Sequence, residues 1–184
     1  GTYFVSYGTA ALGMPQSTVL LIIMIAALVD AVALPVMASI ADRIGAAKVF
    51  AIGAVAALVL GFAFFPLVNT GNLVLVFVAV LGTLLIGHVT TYSVLSSMVA
   101  DLFPVEFRYS GVAASNALGA LVFSAPVPLV AAALFAATQS WVPVALMATV
   151  AAVASILAVV GYARTRALQA AGVEAEEEIA AAAR

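Results

Sequence analysis

Asp30 is the residue whose type and place most strongly suggest chemistry, because it stands near the middle of a long apolar run. A carboxylate at that depth of a membrane costs about 2.5–3.5 kcal/mol to insert. It must face a protein interior or a water-filled cavity, or take up a proton. An apolar site disfavours the charged form, which suits reversible proton binding. Pro35 follows in the same run. It has no N–H, and its ring disturbs the carbonyl of Ala31, next to Asp30. A kink beside an intramembrane acid is a candidate ion or substrate site. The competing reading is an Asp that hydrogen-bonds a neighbouring span and fixes helix register. His88 lies in the middle of another apolar run, with Thr91, Tyr92 and Ser96 after it. Spacings of three, four and eight put these on one helix face. Such a stripe would line a translocation path or relay a proton, or else bind neighbouring helices together.

A third set lies further on. Ser115 and Gly119 form a small-xxx-small pair that favours close helix packing. Asn116 between them is a polar group in mid-membrane and a candidate cavity residue. Pro126 and Pro128 must interrupt the helical ladder, and freed carbonyls in a broken helix are a common way to build a transporter site. Catalytic machinery is not apparent. The serines near His88 share its helix, with no preorganised oxyanion site. There is no Gly-rich phosphate loop. With one histidine and no cysteine, a zinc site is not expected. The sequence therefore implies neither an enzyme nor a cofactor.

The elements that must hold these residues follow from composition. Only 8% of residues are charged and 66% are hydrophobic, against about 25% charged in a soluble domain. Such a chain cannot coat a water-facing surface. It has no basic patch for nucleic acid. An integral membrane protein is what remains. A spanning helix needs about 20 mostly apolar residues. The qualifying runs are roughly 18–39, 48–68, 73–99, 110–138 and 142–163, spans A to E. They lack the alternation of barrel strands, so the fold class is an all-α, polytopic membrane helical bundle. Residues 1–8 are apolar but too few to cross, and read as the tail of a span whose beginning is missing. Residues 1–163 are thus expected to form the bundle, and 164–184 a polar tail rich in Ala and Glu. All six basic residues fall on one side: Arg43 and Lys48 between A and B, Arg108 between C and D, and Arg164, Arg166 and Arg184 after E. This bias places those segments, and the C-terminus, in the cytoplasm.

Between A and B stands Ala41-Asp42-Arg43-Ile44-Gly45-Ala46-Ala47-Lys48. This resembles the D-R-x-G-[RK]-[RK] loop motif of the major facilitator superfamily, with Ala46 and Ala47 where the family usually has a basic pair. Between C and D, Asp101-Leu102-Phe103-Pro104-Val105-Glu106-Phe107-Arg108-Tyr109-Ser110-Gly111 is similar to the E-L-F-P-T-x-V-R-Y-S-G signature of its metabolite:proton symporter branch. That branch includes shikimate, α-ketoglutarate, citrate and proline/betaine permeases. Residues 6–18 and Ser140-Trp141-Val142-Pro143 are also similar to it. The resemblance implies the C-terminal six-helix half of a twelve-helix carrier, its first helix mostly missing. It implies a missing N-terminal half as partner, a small-molecule substrate and a proton as cargo, and the inner or plasma membrane as location. It further implies that Asp42, Arg43, Gly45, Lys48, Asp101, Glu106 and Arg108 form an inner gate. By charge, Asp42 can cap a helix N-terminus and Arg43 can pair with Asp101 or Glu106; the competing reading is ordinary loop charges that satisfy the positive-inside bias.

The expected function is proton symport of a small polar metabolite, such as an organic acid or zwitterion, by alternating access. Asp30 is the candidate for proton coupling. His88, Tyr92 and Asn116 are the candidates for the substrate cavity. The rival expectation is a truncated, non-transporting membrane protein with a structural or regulatory role.

Overall fold

The computed structural model describes residues 2–10 and 12–182, with side chains described for most of them up to residue 172. The fold is all-α. Helix α1 (Thr2–Ala10) precedes five membrane-crossing stretches. The first is α2 (Gln16–Ile44) and the second is α3 (Ala46–Asn69). The third combines α4 (Leu73–Gly82), a π-helical segment (Thr83–Val89) and α5 (Thr90–Ala100). A 3₁₀ turn (Val105–Phe107) opens the fourth, followed by α6 (Arg108–Gly119), a second π segment (Ala120–Ser124) and α7 (Val127–Thr138). The fifth is α8 (Val142–Ala182).

Local chemistry sets the ends. Gly45 separates α2 from α3 at φ 98°, and its N–H closes on the Ala41 carbonyl at 2.8 Å. Asn72 starts α4, its Oδ1 accepting from the amides of Val74 at 2.9 Å and Leu75 at 3.4 Å. This is the side-chain satisfaction of orphan amides expected of an N-cap. Gln139 ends α7 in the left-handed conformation, φ 51°. Pro35 leaves α2 unbroken. Pro126 does mark a break: the chain turns at Ala125–Pro126, both still at right-handed helical dihedrals, and the α-helix resumes at Val127.

Two apolar cores hold the bundle. One gathers Phe4, Tyr7, Val19, Ile22, Phe65, Val68, Val76 and Val144 at the end carrying the 69–72 turn. Its aromatic rings meet edge-on, Tyr7 on Phe65 and on Phe135, while Phe65 stacks on Trp141 at 5.3 Å. Tyr7 also donates to Asn69 Oδ1 at 2.6 Å. The other core joins Ala41, Val49, Phe50, Val94, Met98 and Val159 at the opposite end. Helix α3 is the hub, packing against α8, α5, α4 and the first π segment. By contrast α6 buries no residue.

The expected spans all appear as helices, with differing ends. The 18–39 run continues to Ile44, because Gly45 is the first residue that breaks it. Span E and the tail form one continuous helix to Ala182, as a run of strong helix formers such as Ala and Glu allows. The side chains of Glu174, Glu176, Glu177 and Glu178, and Arg184, lie outside the described residues.

Candidate functional site

Asp30 and His88, 58 residues apart, come together midway along α2, on a partly exposed face of the bundle. His88 Nδ1 lies 3.2 Å from Asp30 Oδ1. The carboxylate is 18% exposed and the imidazole 46%, so the acid is the more enclosed of the two. Opposite partners at mid-membrane satisfy the cost that each would carry alone. Residues from α2 and from the π segment Thr83–Val89 thus make one unit.

The π segment places His88. A π turn takes one residue more than an α turn and gives up the regular i→i−4 ladder; such bulges recur at functional sites. Threonine hydroxyls bond back onto carbonyls of the segment. Thr90 Oγ1 donates to the Ile86 carbonyl. Thr91 Oγ1 lies 2.9 Å from the Gly87 carbonyl and 3.0 Å from that of His88. Room for the widened turn comes from glycines. Gly53 on α3 faces Thr90, and a Cβ there would stand 2.1 Å from its Oγ1. Gly87 lies against Ala57.

Tyr92 stacks on His88, ring centroids 5.0 Å apart and planes at 15°. It also lines a cavity of about 970 Å³ between α3, the π segments, α5, α6 and α8. Thr91, Ser115, Asn116, Ser124 and Ser155 share that lining. Two of the three expected cavity residues, Tyr92 and Asn116, therefore face one space. His88 does not line it and sits behind Tyr92. A second, apolar groove of about 620 Å³ runs between α2 and the π segment, lined by Leu28, Val32, Val36, Leu85 and Ile86 among others.

The gate residues are dispersed over two exposed loops. Asp42 lies in the last turn of α2, and the start of α3 has no side-chain cap, so Asp42 caps neither helix of its own loop. Arg43 pairs with neither Asp101 nor Glu106; among the described residues the ion pair found is His88–Asp30. Glu106 lies on the 3₁₀ turn, which packs on α6, and α6 does not touch α2. Asp101 Oδ2 instead accepts from Tyr162 Oη of α8 at 3.0 Å. Arg108 Nε donates to the Ala100 carbonyl at 3.1 Å, folding the second loop back on α5. Phe103 lies on Gly111, where a Cβ would come within 2.5 Å of the ring. Glu106 and Lys48 are exposed.

Gly45 is the gate-motif residue with a backbone reason to be there. At φ 98° and ψ 132° an L side chain is strained, although nothing lies within 4 Å of a Cβ built on it. Gly45→Ala is expected to lower stability by about 1–3 kcal/mol. Gly82→Ala, at φ −60° in equally open space, should instead gain about 0.5–1 kcal/mol. Thermal unfolding in detergent checks both. Equal stability of the two variants would refute a strained Gly45.

The pairing of Asp30 with His88 was not read from sequence, though a signal existed: two ionisable side chains of unlike type, each near the middle of its own span. The π segments, the Gly53–Thr90 approach and the Tyr162–Asp101 bond carried no recognisable signal.

Comparison with known proteins supports the same architecture. The inner membrane metabolite transport protein YhjE of Escherichia coli (strain K12) is 33% identical over 138 residues, which cover 71% of this chain. The match spans 30% of that relative's length. No solved structure gives a significant match. The family model described as Major Facilitator Superfamily matches residues 2–183. With five apolar helices long enough to cross a bilayer, this is a multi-pass membrane chain that belongs to the Major Facilitator Superfamily, a family of transporters rather than enzymes.

Proposed function

We propose that this chain supplies the C-terminal half of a twelve-helix carrier that moves a small polar metabolite together with protons. The substrate is an organic acid or a zwitterion, and the membrane is the inner or plasma membrane. The carrying observation is the Asp30–His88 pair, a carboxylate and an imidazole 3.2 Å apart midway along α2. The pair can hold a proton between two groups that each bind one reversibly. The cavity lined by Tyr92 and Asn116 holds the substrate on this side of the translocation path. An N-terminal half closes the other side, and rocking of the two bundles exposes the site alternately to each face. The loops bearing Asp42, Arg43, Gly45, Lys48, Asp101, Glu106 and Arg108 form the cytoplasmic gate, and residues 164–184 extend from the bundle into the cytoplasm. Partial identity to a metabolite transport protein supports a metabolite as the cargo.

The test is uptake by vesicles carrying the complete protein, with labelled α-ketoglutarate, shikimate and glycine betaine as probes. A pH gradient of one unit, acid on the outside of right-side-out vesicles, carries about 1.4 kcal/mol. Symport of one proton then supports accumulation of about tenfold at zero membrane potential. Collapse of that accumulation by a protonophore is expected. Accumulation indifferent to the gradient, or no uptake of any probe, would overturn the reading.

A further inference from the structure

Tyr92 belongs to both halves of the site. One side of its ring covers the His88 imidazole at 5.0 Å and 15°. The same residue forms part of the wall of the cavity that holds Asn116 and Ser115. It is 59% exposed, so its outer side meets whatever enters. His88 and Asp30 do not line that cavity. A solute in this cavity therefore touches the tyrosine and reaches the proton-binding pair only through it.

From this geometry we infer that Tyr92 transmits occupancy of the cavity to the Asp30–His88 pair, as a positioning residue acting through His88. The physics is that of a cation on an aromatic face. A protonated imidazole is attracted to the ring quadrupole, and a neutral one much less. A solute that holds the ring against His88 favours the protonated pair, and one that displaces it releases the proton. By linkage the protonated pair favours the same ring position, and hence the solute that fits it. The surrounding elements add little competing charge. Those packed against the π segment are α2, α3, α4 and α5. Their titratable or charged groups are Asp30, Asp42, Arg43, Lys48 and Tyr92. Asp42, Arg43 and Lys48 lie at the loop end of the bundle. Asp42 is twelve residues along α2 from Asp30, about 18 Å at the helical rise.

This inference rests on the proton-symport reading, and its test separates the two. Vesicles carrying the complete protein are assayed for accumulation under the pH gradient and for exchange at equal pH, using the best-transported of the three probes above. The ratio of accumulation to exchange is compared among wild type, Tyr92→Phe and Tyr92→Leu. Tyr92→Phe keeps the ring, so its ratio should exceed that of Tyr92→Leu severalfold, whatever either change does to exchange itself. Tyr92→Leu should lower the ratio tenfold and flatten the pH dependence of the apparent KM. A Tyr92→Leu ratio equal to wild type overturns the role of Tyr92 and leaves the symport reading standing. A wild type without gradient-driven uptake overturns that reading as well. Should Tyr92→Leu not fold, wild type suffices. His88 is the one histidine of this chain, so its ¹³C-labelled imidazole signal is identified by its loss in His88→Gln. Its titration midpoint should move by half a pH unit or more when the probe is added. An unmoved midpoint overturns the inference.

Discussion

Replacing Asp30 by asparagine leaves a carrier that exchanges substrate but no longer concentrates it. Asn has nearly the volume of Asp and can still bond to His88 Nδ1, which lies 3.2 Å from the carboxylate. What it loses is the ability to take up and release a proton. Exchange needs no net proton movement, because the loaded carrier crosses in both directions. Accumulation does need it. Under a one-unit gradient the expected tenfold accumulation should fall to about one. The structure sharpens the choice between the two readings of Asp30. If the acid only ties α2 to the π segment, Asn preserves much of that tie and both activities persist. If accumulation persists in full, the proton travels elsewhere. Thermal unfolding measured beside transport shows whether the bundle itself has survived.

The spans were legible because their signal is one of quantity. A run of about 20 apolar residues has few alternatives to a membrane helix. The expected orientation rests on a quantity too, the placing of six basic residues. Sequence was weaker wherever azimuth mattered. A spacing of three, four and eight put His88, Thr91, Tyr92 and Ser96 on one face under a regular period of 3.6 residues. The π segment changes that period where the stripe begins, since it contains His88 itself. His88 and Tyr92 still stack, yet Thr91 turns its hydroxyl back onto the carbonyls of Gly87 and His88. The buried hydroxyl of the region belongs to Thr90, which the pattern did not single out. Depth in the membrane is a one-dimensional property that the order of residues reports. Which helix an acid faces depends on packing between helices, and that depends on small residues whose meaning appears only with their neighbours.

The loop motifs show the same limit. They were recognised as strings, and the chain does belong to the family that they indicate. Their expected internal pairing was an inference from charge sign. Arg43 and the carboxylates Asp101 and Glu106 sit on two loops that look adjacent in a diagram of spans, but Glu106 belongs to the 3₁₀ turn that packs on α6, away from α2. Asp101 finds the phenol of Tyr162 instead. Tyr162, read only as part of an apolar span, is thus tied to the second loop.

Gly53→Ala is the substitution expected to damage the bundle most for its size. In an open helix the same change stabilises by about 0.5–1 kcal/mol. Here the new methyl would stand 2.1 Å from Thr90 Oγ1, 2.9 Å from Thr90 Cβ and 2.9 Å from Thr91 Cγ2. None of these atoms is the end of a long flexible side chain. Thr90 is 4% exposed, its hydroxyl is bonded to the Ile86 carbonyl, and β-branching restricts its rotamer. Relief therefore requires α3 and the π segment to move apart. Overpacking of this kind costs about 1–3 kcal/mol, occasionally more, which outweighs the helical gain. The movement falls on the segment that presents His88, two residues before Thr90, so gradient-driven accumulation should decline together with the thermal midpoint. A double-mutant cycle separates the contacts. Thr90→Ala removes the 2.1 Å contact but leaves both 2.9 Å contacts, so it should rescue Gly53→Ala only in part. A Gly53→Ala protein as stable as wild type would mean that α3 and the π segment do not approach so closely. Full rescue by Thr90→Ala would place the whole cost on one hydroxyl, and leave the backbone spacing free to accept a methyl group.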